Sequence, residues 1–246
     1  MMILRPIEIM NILQACIASE FTIRGKRGPL PHEIRDSTRR GAATIEEFAL
    51  SLELPVTANT ARILMGRAET SEELHHAIRM LSDNLFMELD QRKFYGPVAK
   101  FSNYFEQPKL FGDDVFTKLA SANNDIYEAG TCLALERGTA CVMHLMRVME
   151  AGLAALAKTV GVAKQNDWGR YLSEIEKELS SRYRTSGART PDEQFYAEAA
   201  MTFDQVRRAW RNPTMHVEHN YSSERAQEIL EAVKSFMNHL ATKISE

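Results

Sequence analysis

The pattern of apolar and polar positions along the chain is helical almost throughout. Apolar residues recur three and four positions apart, which places them on one face of an α-helix. The clearest stripe runs from Ala226 to Ile244 near the end of the chain. No segment shows sustained alternation of apolar and polar residues with β-branched side chains, so no substantial sheet is expected. The sequence therefore predicts an all-α fold.

Local start signals mark several of the predicted helices. Thr70 and Thr190 each precede, by three positions, a glutamate that can complete a capping box, and Pro191 takes the first helical position after Thr190. Side chains that can cap other helices are Thr139, Asp167 and Ser222 or Ser223. The predicted helices span roughly 7–21, 35–54, 58–65, 71–94, 121–137, 140–160, 168–184, 191–211 and 223–244.

A break in the helical pattern suggests two subdomains. The chain has 246 residues, which is long for one helical bundle. Between 95 and 114 it is rich in aromatic residues and interrupted by Pro108 and Gly112. We expect an N-terminal helical subdomain over 1–120 and a C-terminal helical bundle over 121–246. The N-terminal part also has a basic loop near 24–40, with Arg24, Lys26, Arg27, Arg35, Arg39 and Arg40. This loop is either solvated surface or a binding surface for an RNA backbone.

Composition narrows the picture only slightly. The net charge of −3 neither supports nor excludes nucleic-acid binding, because phosphates respond to local basic surfaces. Cys16, Cys132 and Cys141 form no CxxC pair, which argues against a zinc site built on thiolates. We find neither a signal-peptide pattern nor an apolar run of membrane-spanning length. We therefore expect a cytoplasmic protein without a membrane partner.

The segment that carries chemistry is Arg211-Asn212-Pro213-Thr214-Met215-His216. Pro213 lacks a backbone donor and disfavours helical geometry at Asn212, so a turn or kink is expected there. Histidine transfers protons near neutral pH, and arginine offers a fixed fork of donors to phosphate oxygens. The amide of Asn212 could orient His216 or a phosphate. Because arginine at a helix end often only caps carbonyls, a purely structural role is the alternative.

The C-terminal half resembles the HEPN superfamily of helical bundles. Members carry an arginine, usually a polar neighbour, and a histidine four to six residues later; here these are Arg211, Asn212 and His216. The motif also lies between the last two predicted helices, as in the family. The resemblance covers about 121–246, and nothing specific to the family is evident in 1–120. It implies catalysis by these three residues, without metal or cofactor, in a cleft shared by two copies of the chain or with another HEPN protein.

Further residues extend this candidate site. Arg207 and Arg208 are expected to bind nucleic acid, and Tyr221 to stack on a base, although packing across the kink is an alternative for Tyr221. His144, Arg147 and Glu150 lie on an upstream helix, and the resemblance implies that they support the motif; exposed ion pairs are the alternative. The stretch 216–219 holds two histidines and a glutamate but offers no further strong metal ligand nearby.

The resemblance implies a metal-independent endoribonuclease of bacterial toxin or phage-defence character. Its products would carry a 2′,3′-cyclic phosphate, and its partners would be RNA, a second copy of the chain, and an antitoxin or another defence protein. The alternative is a non-catalytic HEPN module that binds a nucleotide or nucleic acid, or serves as a scaffold in a toxin–antitoxin or defence complex. A third interpretation is a helical interaction protein with a structural Arg–His pair.

Overall fold

The computed structural model describes residues 25, 27–93, 96–214, 216 and 219–246. Within these ranges the secondary structure is helical, with no strand and one isolated bridge between Pro29 and Thr70. The predicted all-α fold is therefore confirmed. Packing divides the chain into two units, 1–94 and 95–246. The helix predicted at 7–21 lies outside the described residues.

The described part of the first unit contains three α-helices packed around two small apolar clusters. Thr70 caps the last of them: its hydroxyl accepts from the Glu73 N–H at 3.2 Å, and the Glu73 carboxylate accepts from the Thr70 N–H at 3.1 Å. The capping box predicted at Thr70 is confirmed. The helices are α1 (His32–Ser51), α2 (Pro55–Thr60), which continues into a π-helical turn (Ala61–Met65), and α3 (Ser71–Asp90).

One carboxylate offsets part of the charge of the basic segment near 24–40. The loop predicted there ends at Pro31, because 32–40 forms the start of α1. Arg35 and Arg39 both pair with Glu69, at 2.5 and 2.8 Å. The backbone N–H of Leu30 donates to the Glu69 carbonyl at 2.8 Å, which ties the loop to the segment before α3. The basic segment is thus partly neutralised by its own unit. Arg24 and Lys26 lie outside the described residues.

The second unit is a bundle built around one central helix. Its apolar core draws on every α-helix of the unit. The α-helices are α4 (Asp113–Lys118), α5 (Asn123–Ala134), α6 (Gly138–Thr159), α7 (Trp168–Ser186), α8 (Pro191–Val206) and α9 (Ser223–Ala241), and short 3-10 turns lie at Ala99–Tyr104 and Ala120–Ala122.

The boundary between the units lies earlier than the 120/121 division expected from sequence. Phe101, Phe111, Val115 and Leu119 are almost completely buried in the same core as α5 and α6. These apolar side chains remove the segment 96–120 from water by packing on the bundle, so it belongs to the second unit. The break that we placed within 95–114 falls near the start of that range, at 94/95.

Helix α6 is the central element of the bundle. It packs against α5, α7 and α9, and many of its side chains are fully buried, such as Leu145, Met149 and Leu153. By length and composition it is the one helix of the described ranges that could cross a membrane, with a mean hydropathy of 1.4 and 61% of that window buried. The sequence analysis did not anticipate such a segment. A core helix of a bundle has the same composition, because its neighbours cover most of its surface.

Caps fix the ends of the helices around the motif. The Thr190 capping box is present, with the Thr190 N–H donating to Glu193 at 2.8 Å, and Asp167 and Ser222 also cap as predicted. Thr139 does not. Helix α6 begins at Gly138, two residues earlier than expected, and the Thr139 hydroxyl instead accepts from the Tyr221 N–H at 3.0 Å.

Candidate functional site

The motif begins in a widened helical turn. Helix α8 continues into a π-helical turn, Arg207–Arg211, and then a helical turn, Asn212–Thr214. The Asn212 N–H donates to the carbonyl of Arg207, five residues back, as a π turn requires. Asn212 itself is helical, with φ −64° and ψ −50°, so the expected loss of helical geometry before Pro213 is wrong. The irregularity lies one turn earlier, where the wider turn precedes the proline.

Hydrogen bonds then hold the end of this helix to the bundle. The buried Thr214 hydroxyl donates to the Trp210 carbonyl at 2.6 Å and lies 3.2 Å from the Tyr221 hydroxyl. Through its backbone N–H, Tyr221 also bonds to Thr139 at the start of α6. Tyr221 therefore takes part in packing across the end of the helix, with its ring half-buried.

The three motif side chains have no intramolecular partner in the part of the chain that the structure describes. Arg211 and Asn212 are half-buried and His216 is exposed. None of them makes a side-chain hydrogen bond or ion pair within the described ranges, and no hydrogen bond joins Asn212 to His216. Only the backbone of His216 is bonded, with its N–H donating to the Pro213 carbonyl at 2.9 Å. The polar groups of these side chains are thus not engaged by other side chains of the described ranges.

The other two arginines of the turn share one carboxylate. Asp204 accepts from Arg207 at 2.7 and 3.1 Å and from Arg208 at 2.7 Å. The hydrogen bond from Arg207, with the charges of both guanidinium groups, lowers the pKa of the Asp204 carboxyl. Sequence analysis did not single out Asp204, although its spacing of three and four residues from the arginines is the signal for such pairs on a helix.

The upstream residues His144 and Arg147 meet at a buried carboxylate rather than at the motif side chains. His144 Nδ1 and Arg147 Nε both lie 2.8 Å from Asp125 Oδ1. Asp125 is on α5, and it was not among the predicted residues because its partners are on another helix. Glu150, the third expected supporting residue, accepts from the Trp168 Nε1–H at 3.3 Å.

Two hollows lie along α8 and the π turn. One, of about 520 Å³ between α7 and α8, includes Arg189, Arg207 and Arg208 together with Asp204 and Glu176. The other, of about 290 Å³, is mainly apolar and lies between α8 and α9 beside Trp210. The first combines three arginines with two carboxylates, so its charge is mixed. The second is suited mainly to apolar contacts.

Metal-ligating groups also gather between α5 and α6. Glu128, Cys132 and His144 place a carboxylate oxygen, a sulfur and a ring nitrogen within 4.8 Å of one another. This group was not predicted from the sequence, because its members come from two helices. In the stretch 216–219, His219 is exposed, and residues 217 and 218 lie outside the described ranges.

Comparisons of the chain with family models, with curated proteins and with solved structures gave no match.

Proposed function

We propose that this protein is a metal-independent endoribonuclease of the HEPN type, with Arg211, Asn212 and His216 as its catalytic residues. One observation carries the proposal. Arg211 and, five positions later, His216 lie at the end of a helical segment, and neither side chain makes a hydrogen bond or ion pair with the described residues. Side chains at such a position are available to a ligand from outside the chain. A toxin or phage-defence role is the biological setting that we propose for this activity.

The chemistry of RNA cleavage explains why these residue types belong together. A metal-independent ribonuclease removes the proton of a 2′-hydroxyl, stabilises a dianionic phosphorane and protonates the leaving 5′-oxygen. His216 would transfer protons, because imidazole titrates near neutral pH. The permanently charged guanidinium of Arg211 would bind the phosphorane oxygens. Preorganised charge at this position stabilises the transition state and lowers the activation barrier of cleavage. Asn212 would hold a phosphate oxygen or orient the imidazole.

The pairing of the neighbouring arginines supports Arg211 as the phosphate ligand. Arg207 and Arg208 are held by Asp204, and Arg147 is held by Asp125. Arg211 has no such carboxylate within the ranges that the structure describes. A phosphate at Arg211 would therefore compete with no ion pair among the described residues, whereas a phosphate at Arg207 would first displace Asp204. We assign Arg207 and Arg208 a secondary role in binding the RNA backbone.

A single copy of the motif supplies one histidine for two proton transfers. In the proposed enzyme two chains meet with their motifs across one cleft, so that one His216 acts as base and the other as acid. RNA would lie in that cleft. A partner such as an antitoxin could inhibit the enzyme by covering the same surface.

The direct test compares cleavage of a structured RNA by the wild type and by single variants in EDTA. We expect Arg211→Ala and His216→Ala to lower the cleavage rate by at least about a hundredfold, the usual loss on removing a proton-transfer or charge-stabilising group. The matched controls are Arg225→Ala, which removes an exposed arginine paired with Glu228, and His219→Ala, which removes an exposed neighbouring histidine. Both controls should keep wild-type rates.

Three results would contradict the proposal. Equal cleavage by the wild type and both motif variants would remove the catalytic assignment. RNA binding without cleavage, weakened by Arg211→Ala, would instead indicate a non-catalytic binding module. Sedimentation as a strict monomer at micromolar concentration, together with full activity, would exclude the shared cleft.

A further inference from the structure

Helices α5 and α6 bring together three metal-ligating side chains that do not belong to the Arg211–His216 motif. Glu128 and Cys132 are four positions apart and so share a face of α5, and His144 reaches them from α6. Their ligand atoms lie within 4.8 Å of one another, and all three side chains are half-buried. We refer to Glu128, Cys132 and His144 as the α5–α6 cluster.

A fourth residue sets the orientation of the imidazole. Asp125 Oδ1 lies 2.8 Å from His144 Nδ1, and a carboxylate can only accept, so Nδ1 carries the hydrogen. Neutral His144 therefore has its lone pair on Nε2. Asp125 is itself buried and fixed by the Arg147 Nε–H at 2.8 Å. A carboxylate behind a histidine in this way is the usual outer-shell partner of a metal-bound imidazole.

We infer that the α5–α6 cluster binds a divalent transition-metal ion of the zinc class. One thiolate, one imidazole and one carboxylate form the donor set of a borderline-soft cation. At bond lengths of about 2.0–2.3 Å, ligand atoms of a tetrahedral zinc site lie roughly 3.5 Å apart, so small side-chain rotations close the present separation. Water would complete the coordination.

The surroundings of Cys132 disfavour a free, nucleophilic thiolate. Burial raises the pKa of the Cys132 thiol, the charge of Glu128 raises it further, and Arg137 lowers it. A coordinated divalent ion would oppose the first two effects, because it balances the charge of Glu128 and displaces the proton of the thiol that binds it.

Metal binding here would join the two helices of the hairpin. The ligands come from both sides of the short connection 135–137, so an ion that binds only the folded state would stabilise the bundle by mass action. The inference is independent of the proposed ribonuclease: RNA cleavage in EDTA tests one, and metal binding without RNA tests the other.

The test is titration of the reduced, metal-free full-length protein with Co²⁺, followed by competition with Zn²⁺. We expect a cobalt–thiolate charge-transfer band that Zn²⁺ abolishes, and a rise in the melting temperature with Zn²⁺. Cys132→Ser should remove the band. Glu128→Gln, a nearly isosteric change of a half-buried side chain, should weaken binding at least tenfold. Asp125→Asn should weaken it by about 10–100-fold, the usual effect of losing an outer-shell partner.

The matched control is Cys141→Ala, which removes a neighbouring buried thiol and leaves the α5–α6 cluster intact. It should keep the band and the affinity, with circular dichroism confirming that each variant is folded. The inference is overturned if the wild type shows no thiolate band at millimolar Co²⁺. It is equally overturned if the band survives in Cys132→Ser or if Glu128→Gln binds with wild-type affinity.

Discussion

Ion pairs with individual carboxylates determine which arginines of the π turn are available to bind a ligand. Asp204 engages Arg207 and Arg208, so two of the three arginines of the π turn already have a counter-charge. Arg211 is the third and has no carboxylate partner among the described residues. Among the described residues, the candidate phosphate site is therefore defined by an arginine that pairs with no carboxylate rather than by the number of basic residues.

Replacing Asp204 should convert the turn into a stronger polyanion site. Asp204→Asn frees Arg207 and Arg208, so we expect tighter RNA binding and a steeper decrease of affinity with salt, because more phosphates are neutralised. Fluorescence anisotropy with labelled RNA at several salt concentrations measures both. Asp192→Asn, at an exposed carboxylate that pairs with Lys243 just after α9, is the control and should have a smaller effect. Unchanged affinity and salt slope in Asp204→Asn would exclude RNA from this surface.

The same carboxylate has a defined effect on acid stability. Its pKa is lowered in the folded state, mainly by the hydrogen bond from Arg207, so the folded protein binds this proton less readily than the unfolded chain. The resulting stabilisation is present above the ordinary aspartate pKa of about 3.9 and is lost as pH falls through the lowered value. Urea unfolding should therefore lose less stability between about pH 5 and pH 3 in Asp204→Asn than in the wild type. Identical pH profiles would contradict this.

At the scale of helices, a cap can be predicted from the sequence when the interaction that forms it joins residues close in sequence. The caps at Thr70, Asp167, Thr190 and Ser222 were predictable because each acts within a few residues. The cap expected at Thr139 failed because a residue far along the chain, Tyr221, takes its hydroxyl.

The features of the candidate site that were not predicted also depend on residues that are distant in sequence or on backbone geometry. Asp125 meets His144 and Arg147 across two helices, which periodicity along one helix cannot reveal. The π turn before Asn212 was not predicted, because sequence rules for proline address the preceding residue and not the turn before it. The motif itself was predicted from residue types, and its catalytic use stays a prediction.

One glycine sets how closely α6 approaches the segment that returns from the motif. A Cβ at Gly138 would lie 2.4 Å from the Tyr221 carbonyl oxygen and 2.7 Å from that of Ser222. We expect Gly138→Ala to lower the free energy of unfolding by about 1–3 kcal/mol, because backbone must shift to relieve the overlap. Urea denaturation followed by circular dichroism measures the change.

The matched control for this change is Gly41→Ala. Gly41 lies within α1, and a Cβ there would meet only the end of the Met65 side chain at 3.8 Å. The control should therefore be neutral or stabilising by up to about 1 kcal/mol, since alanine favours a helix over glycine. Destabilisation of both variants by the same amount would refute the close-approach argument.

At the scale of the whole molecule, the proposed enzyme places its chemistry in the second unit, where the helical segment that carries the motif ends. Hydrogen bonds among Thr139, Tyr221 and Thr214 join the start of α6, the segment before α9 and the end of the turn Asn212–Thr214. His216 follows on the exposed side of that end, where a second chain or an RNA can approach it. The sequence of the first unit predicts no specific function. Its Arg35 and Arg39 both pair with Glu69, which partly neutralises their charge.

The most direct test of the central claim is the chemistry of the RNA ends that the protein produces in EDTA. Attack by a 2′-hydroxyl, with proton transfer by His216 and charge stabilisation by Arg211, leaves a 2′,3′-cyclic phosphate and a 5′-hydroxyl. We predict these ends for the wild type, their disappearance with His216→Ala, and no cleavage of an oligonucleotide that is 2′-deoxy throughout. New ends carrying a 3′-hydroxyl and a 5′-phosphate, or cyclic phosphates formed equally by His216→Ala, would contradict the account.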